Sequence, residues 1–121
     1  MKYRGYTIKK EKTAFGDYTI YNDMYGEDMG FKTEADAKFW VDAHCEEHFE
    51  TAEETRDRMW ELGILMRHHG WDYDMNHKIW DMCLRWNMEH EDSEIFMCEH
   101  ENDEGEVDGF YIEDDYLTFE F

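Results

Sequence analysis

Beyond Arg85 the chain has no Lys or Arg, so residues 86–121 set fourteen Asp and Glu against no basic side chain. A stretch with no cation of its own predicts carboxylates that are not neutralised by local ion pairing. Long apolar runs are missing too: the uninterrupted ones are only a few residues, as in Ile64-Leu65-Met66, far below the roughly 20 residues a bilayer-spanning helix needs. The start, Met1-Lys2-Tyr3-Arg4-Gly5, has no apolar stretch of the kind a secretory signal carries, and the cytoplasm is the expected location. The three cysteines, Cys45, Cys83 and Cys98, are odd in number and lack paired spacing, which excludes a disulfide framework and fits reduced, mostly buried thiols. Glycine-rich phosphate loops are absent, and the single serine, Ser93, lies among acids rather than in a nucleophile elbow. Neighbouring carboxylates make Cys83 or Cys98 poor nucleophiles, so an enzyme is not expected.

What is present is negative charge, unevenly placed. Residues 1–44 carry a net −1, residues 45–85 carry −5 and residues 86–121 carry −14, giving −20 in all. Solubility asks for a magnitude of only about 2 to 8 in a small domain. Two like charges about 6 Å apart repel by roughly 0.7 kcal/mol in water, so a fold that keeps this many loses stability to them. Disorder is not the consequence, because 41% hydrophobic and 17% aromatic residues supply a core. A surface this negative repels nucleic acid and anionic membranes alike. No direct nucleic-acid or membrane partner is therefore expected, and the partner that charge selects is a basic protein.

The 121 residues predict one small α+β domain: an N-terminal β-hairpin, three helices and C-terminal antiparallel strands. Tyr3 to Lys10 and Asp17 to Tyr21 alternate as strands around Thr13-Ala14-Phe15-Gly16. Thr33 is the expected N-cap of a first helix, in which Ala37, Trp40, Val41, Cys45 and Phe49 share a face, so residues 1–49 read as a ββα unit. Thr51-Ala52-Glu53-Glu54 is a capping-box start for a second helix, with Met59, Leu62 and Met66 inward and a stop at Gly70. A third helix is expected from Asp74 to Glu91, with Ile79, Met82, Cys83 and Trp86 on its inner face; these two helices occupy 50–92. In the acidic, β-rich end at 93–121, period two returns at Ile95 and Met97, at Phe110 and Ile112, and at Leu117, Phe119 and Phe121. Three strands follow, joined by Asn102-Asp103-Glu104-Gly105 and Glu113-Asp114-Asp115.

Held on such a scaffold, carboxylates can imitate phosphates. Alternate strand residues lie about 6.7 Å apart and helix neighbours about 5 to 6 Å apart, against one charge per 3.4 Å along a DNA strand. Glu99, Glu101 and Asp103 are expected on one strand face, continued by Glu104, Glu106 and Asp108, with Glu89, Glu91, Asp92 and Glu94 at the end of the third helix. Glu113, Asp114 and Asp115 complete the array, and Phe110, Tyr111 and Tyr116 supply apolar anchors beside it. These sixteen side chains are the expected partner-binding set.

Small size, extreme acidity and a compact α+β pattern resemble the phage-encoded inhibitors that mimic nucleic acid, the anti-CRISPR and anti-restriction proteins. The stretch Tyr3-Arg4-Gly5-Tyr6-Thr7-Ile8, then Tyr18-Thr19-Ile20-Tyr21, then Gly30-Phe31-Lys32-Thr33-Glu34-Ala35-Asp36-Ala37, is also similar to short ββα modules of phage and mobile-element proteins. It covers about a third of the chain and carries no catalytic motif. The resemblance transfers no functional residue. It implies a target, either a CRISPR effector nuclease or a restriction enzyme, met in the cytoplasm of the host cell. The first is favoured because its grooves are strongly positive and its recognition of the short adjacent motif depends on Arg side chains.

Other chemistry is thinly represented. His44 and His48, four apart with Cys45 between them, would share one helix face, but a zinc site wants a second such pair, and Cys replaces the Glu of a His-Glu-x-x-His motif. Asn102 to Asp108 resembles a calcium loop only superficially, since the EF-hand order of Gly and Glu does not fit. No metal or cofactor is expected. A rival reading is an interaction module docking through Trp60, Trp71, Trp80 or Trp86 and acidic only for solubility; the other is a small metal protein built on His44, Cys45 and His48.

Overall fold

Arg4 and Gly5 both have positive φ, 49° and 87°, and join Tyr3 directly to Tyr6 across an antiparallel pair. Two consecutive left-handed residues make the tight hairpin turn whose twist matches that of the strands, and glycine carries the second position without steric cost. The expected strand from Tyr3 to Lys10 is therefore two strands. The computed structural model describes residues 1–13, 16–22 and 28–119. They divide into two compact units, 1–46 and 47–121.

In the first unit β1 (Lys2–Tyr3), β2 (Tyr6–Thr13), β3 (Gly16–Asn22) and β4 (Asp28–Phe31) form an antiparallel sheet in sequence order, followed by α1 (Glu34–His44). The predicted hairpin is thus present with an additional strand at each edge; Ala14 and Phe15 of its loop lie outside the described residues. Ile8 and Ile20 are cross-strand partners and meet Ala37 and Val41 of the helix in one buried cluster, ringed by Tyr6, Tyr18, Phe31 and Trp40. Thr33 caps α1 by accepting from the Asp36 amide. The buried Asp42 carboxylate accepts the Tyr3 hydroxyl at 2.9 and 3.0 Å and pairs with Arg4 Nε at 2.7 Å, so the turn is bonded to the helix. Phe49 was expected on this helix, but the chain becomes extended at Cys45 (φ −74°, ψ 147°). Two residues beyond Cys45, Glu47 is held by Arg58 and Lys78.

The second unit contains α2 (Ala52–His69), α3 (Tyr73–Glu89), a 3-10 turn at Glu91–Ser93, and β5 (Met97–Glu101), β6 (Val107–Ile112) and β7 (Asp115–Thr118) in a second antiparallel sheet. Thr51 caps α2 as expected, while Asp72 caps α3 one residue before its start and Gly70 ends α2 with φ 110°. Met59, Leu62 and Met66 are fully buried, as are Met75 and Ile79 of α3. Helix α2 faces β6 and β7: a Cβ on Gly63 would stand 2.4 Å from the Phe110 ring and 2.7 Å from Leu117. Glycine in a helix interior costs about 1 kcal/mol against alanine, and here it admits the sheet to that distance. Helix α3 faces the start of the sheet. Its Asn87 amide donates to the Ile95 carbonyl at 2.9 Å and accepts from the Ile95 amide at 2.6 Å, acting as a strand neighbour would. Phe121 lies outside the described residues, and among those described no helix is long and apolar enough to cross a membrane.

Replacing Gly63 with leucine overpacks this contact, and we expect a loss of about 1 to 3 kcal/mol in urea unfolding, against helix propensity. In the first unit burial raises the Tyr3 hydroxyl above its ordinary value, followed by the Arg4 hydrogen bond acting downward and Asp42 acting upward. The neutral phenol is thus favoured in the fold, so its contribution is complete below about pH 10 and is lost as pH rises beyond that. Chemical denaturation from pH 8 to pH 11 is expected to show a shallower alkaline decline in Tyr3→Phe than in the parent.

Candidate functional site

Residues 1–46 carry a net −2 of the chain's −20, leaving −18 on residues 47–121. Four of that unit's five Lys and Arg side chains are directed at its own acids. Arg58, 5% exposed, holds Glu47 at 2.7 Å and also Glu61; Lys78 reaches Glu47 at 2.9 Å; Arg85 holds Asp81 at 2.6 Å; Arg56 holds Glu113 at 3.0 Å. The last pair corrects the expectation that the acidic end has no cationic partner: the partner comes from α2, 57 residues away.

Helix α3 departs from α1 and α2 within its last turn, although His90 at its C-cap lies 3.2 Å from the Trp86 carbonyl much as His44 lies 2.8 Å from that of Trp40. Helices α1 and α2 have acids in the first turn and His44, or Arg67, His68 and His69, in the last, matching the helix dipole. The last turn of α3 has no basic residue and ends on Glu89, with Glu91 and Asp92 in the 3-10 turn and Glu94 just after. All four are exposed, at the pole where negative charge is least favoured. The Glu113 amide donates to the Phe96 carbonyl at 2.6 Å, which brings Glu113, Asp114 and Asp115 to this same end of the sheet.

A second acidic group occupies the opposite end, about 13 Å away along β5. It consists of Glu101 with Asp103, Glu104 and Glu106 of the β5–β6 turn, all exposed. Asn102 organises the turn by accepting from the Glu104 and Glu106 amides at 2.9 and 3.0 Å, so its side-chain oxygen is already engaged. The continuous strand row predicted from Glu99 to Asp108 is not formed. Glu99 shares the inner face with Met97 and accepts from Asn76 at 2.9 Å. A β-bulge shifts the register between His100 and Glu101, where Asp108 is the extra residue.

Between the two groups lies the outer face of the sheet. Cys98, Tyr111 and Tyr116 are cross-strand partners in one row, and the Tyr rings are 4.6 Å apart at 32°. His100 sits edge-on to both, at 5.9 and 5.2 Å. Its Nδ1 faces the Asp108 carboxylate and lies 3.2 Å from the Tyr116 hydroxyl. Phe96, 65% exposed, continues the face by alternation. Phe110 does not belong to it: the ring is fully buried against Trp60 and Phe119, which corrects its expected role at the partner surface. His100 was not among the expected partner-binding residues, since its two-residue spacing from Cys98 suggests only a fragment of a metal site; with Phe96 that same spacing places it on the aromatic face.

The alternative sites are rearranged. Because α1 ends at His44, His44 and His48 do not share a helix face; His44 stacks on Trp40 at 4.2 Å and Cys45 is buried. Among the described residues no group of three or more His, Cys, Asp or Glu is arranged to hold a metal ion. Of the tryptophans in the rival reading, Trp86 is buried and donates to the Ser93 carbonyl at 2.8 Å, Trp60 and Trp80 are half-buried, and Trp71 alone is exposed, at 39%. No protein-family model, curated protein sequence or solved structure matches the chain.

The thiols separate cleanly by environment. Cys98 is exposed, Cys45 is buried, and burial pushes the Cys83 thiol up, only partly opposed by Asn87. Iodoacetamide at about pH 8 is therefore expected to label the native protein once, at Cys98, with the other two cysteines labelled only in denaturant. Peptide mass mapping checks this.

Proposed function

We propose that the protein is a stoichiometric inhibitor that occupies the phosphate-binding groove of a basic nucleic-acid enzyme in the bacterial cytoplasm, with a CRISPR effector nuclease as its target. The supporting observation is the end of α3, where Glu89, Glu91 and Asp92 crowd the negative pole of the helix around the C-cap His90, with no basic residue in the last turn. Charge kept where it costs stability fits a role in binding better than a role in holding the fold together. The two acidic ends of the C-terminal sheet extend that surface, and their spacing of about 13 Å equals roughly four phosphate intervals along one DNA strand. Cations of a nucleic-acid groove would meet carboxylates in place of phosphates and release the same counterions. In this reading the protein acts by binding and not by catalysis.

The test is a cleavage assay with an effector nuclease and its guide, run beside a restriction enzyme. We expect cleavage to stop at equimolar protein and inhibition to weaken by an order of magnitude or more between about 50 and about 500 mM salt. The triple variant Glu89→Gln, Glu91→Gln, Asp92→Asn should gain about 1 kcal/mol in stability and yet inhibit less. Inhibition that ignores both salt and these substitutions would refute charge mimicry. Inhibition of the restriction enzyme alone would reassign the target.

A further inference from the structure

We propose that the outer face of the C-terminal sheet is an arginine-selective anchor, in which a guanidinium of the basic partner lies flat on the Tyr111–Tyr116 pair and is bonded by Asp108. This deepens the inhibitor reading and rests on it, since it names the side chain that the acidic surface draws in. An exposed sheet face bearing Tyr111, Tyr116, His100 and Phe96 is by shape a stacking platform, and such platforms take either nucleobases or planar cations. Charge decides between them. Glu101, Asp103, Glu104 and Glu106 stand at one end of this face and Glu113, Asp114 and Asp115 at the other, so a phosphodiester strand crossing it meets carboxylates on both sides.

Between the two cationic side chains, geometry favours arginine. A guanidinium is planar, weakly hydrated and able to stack while its edge donates to a carboxylate, whereas the ammonium of lysine is a compact point charge. Asp108 supplies that carboxylate at the rim of the rings, with Oδ1 facing His100 and its side chain 25% exposed. The bulge places it there, since in unbroken alternation it would share the inward side of Phe110 and Ile112.

The whole chain is titrated with octa-arginine and with octa-lysine at equal salt, following backbone amides by NMR. We expect octa-arginine to bind about threefold to tenfold more tightly, with its largest shifts at His100, Tyr111 and Tyr116. The Tyr111→Leu/Tyr116→Leu variant should lose that preference while both peptides still bind in a salt-sensitive way. The Tyr111→Phe/Tyr116→Phe variant, which keeps the rings, should retain it. Equal affinities in the parent, or a preference that survives in the leucine variant, overturn the anchor and leave the acidic-surface reading intact. Failure of both peptides to bind overturns the anchor and the acidic-surface reading together. Binding of oligodeoxythymidine with shifts on this face would make it a nucleobase platform and overturn the arginine assignment.

Discussion

Carboxylate repulsion is the constraint around which residues 47–121 are arranged. Four of the unit's basic side chains, Arg56, Arg58, Lys78 and Arg85, hold its own acids, and two of them converge on Glu47, whose side chain is 10% exposed. A desolvated carboxylate between two cations is stable only while both remain, and its pairing joins the 46–50 segment to both helices. With these cations turned toward their own structure, the carboxylates of the C-terminal sheet's two ends face solvent, Glu113 alone among them being held by one of these four, Arg56. The polarity of the surface therefore follows from how the interior is neutralised as well as from how many acids the chain contains.

Local signals were legible in the sequence. Thr33 and Thr51 were readable as caps because the bond each makes spans three residues, and the inward stripe Met59, Leu62, Met66 follows from helical periodicity. The alternation of Ile95, Phe96, Met97 and Cys98 likewise gave the correct faces. Signals that depend on distant partners were not legible. Phe110 looks like a surface aromatic among acids until α2 is laid over it, a contact made possible by Gly63. The row from Glu99 to Asp108 failed because Glu99 faces inward to Asn76, the chain turns after Glu101, and a bulged residue at Asp108 breaks the alternation of β6. Strand β1 was hidden because Arg4 occupies a left-handed position that its side chain does not advertise.

The same bulge gives the acidic end its internal structure. Without it, Asp108 would lie under the sheet, His100 would lack its carboxylate neighbour, and the outer face would be an aromatic row between two unrelated groups of acids. With it, charge and aromatic surface meet within one hydrogen-bonded cluster. A polyanionic tail would attract cations of every kind; an ordered face with rings and a fixed carboxylate can distinguish among them.

Gly63 also bears on descent. Because Phe110 and Leu117 fill the space that a side chain at 63 would need, a lineage can enlarge that position only if one of the two shrinks in step. Exposed acids such as Glu53 meet no such packing limit. The coupled trio of helix glycine, strand aromatic and strand leucine does, and is therefore the trace by which divergent kin of this chain are to be sought.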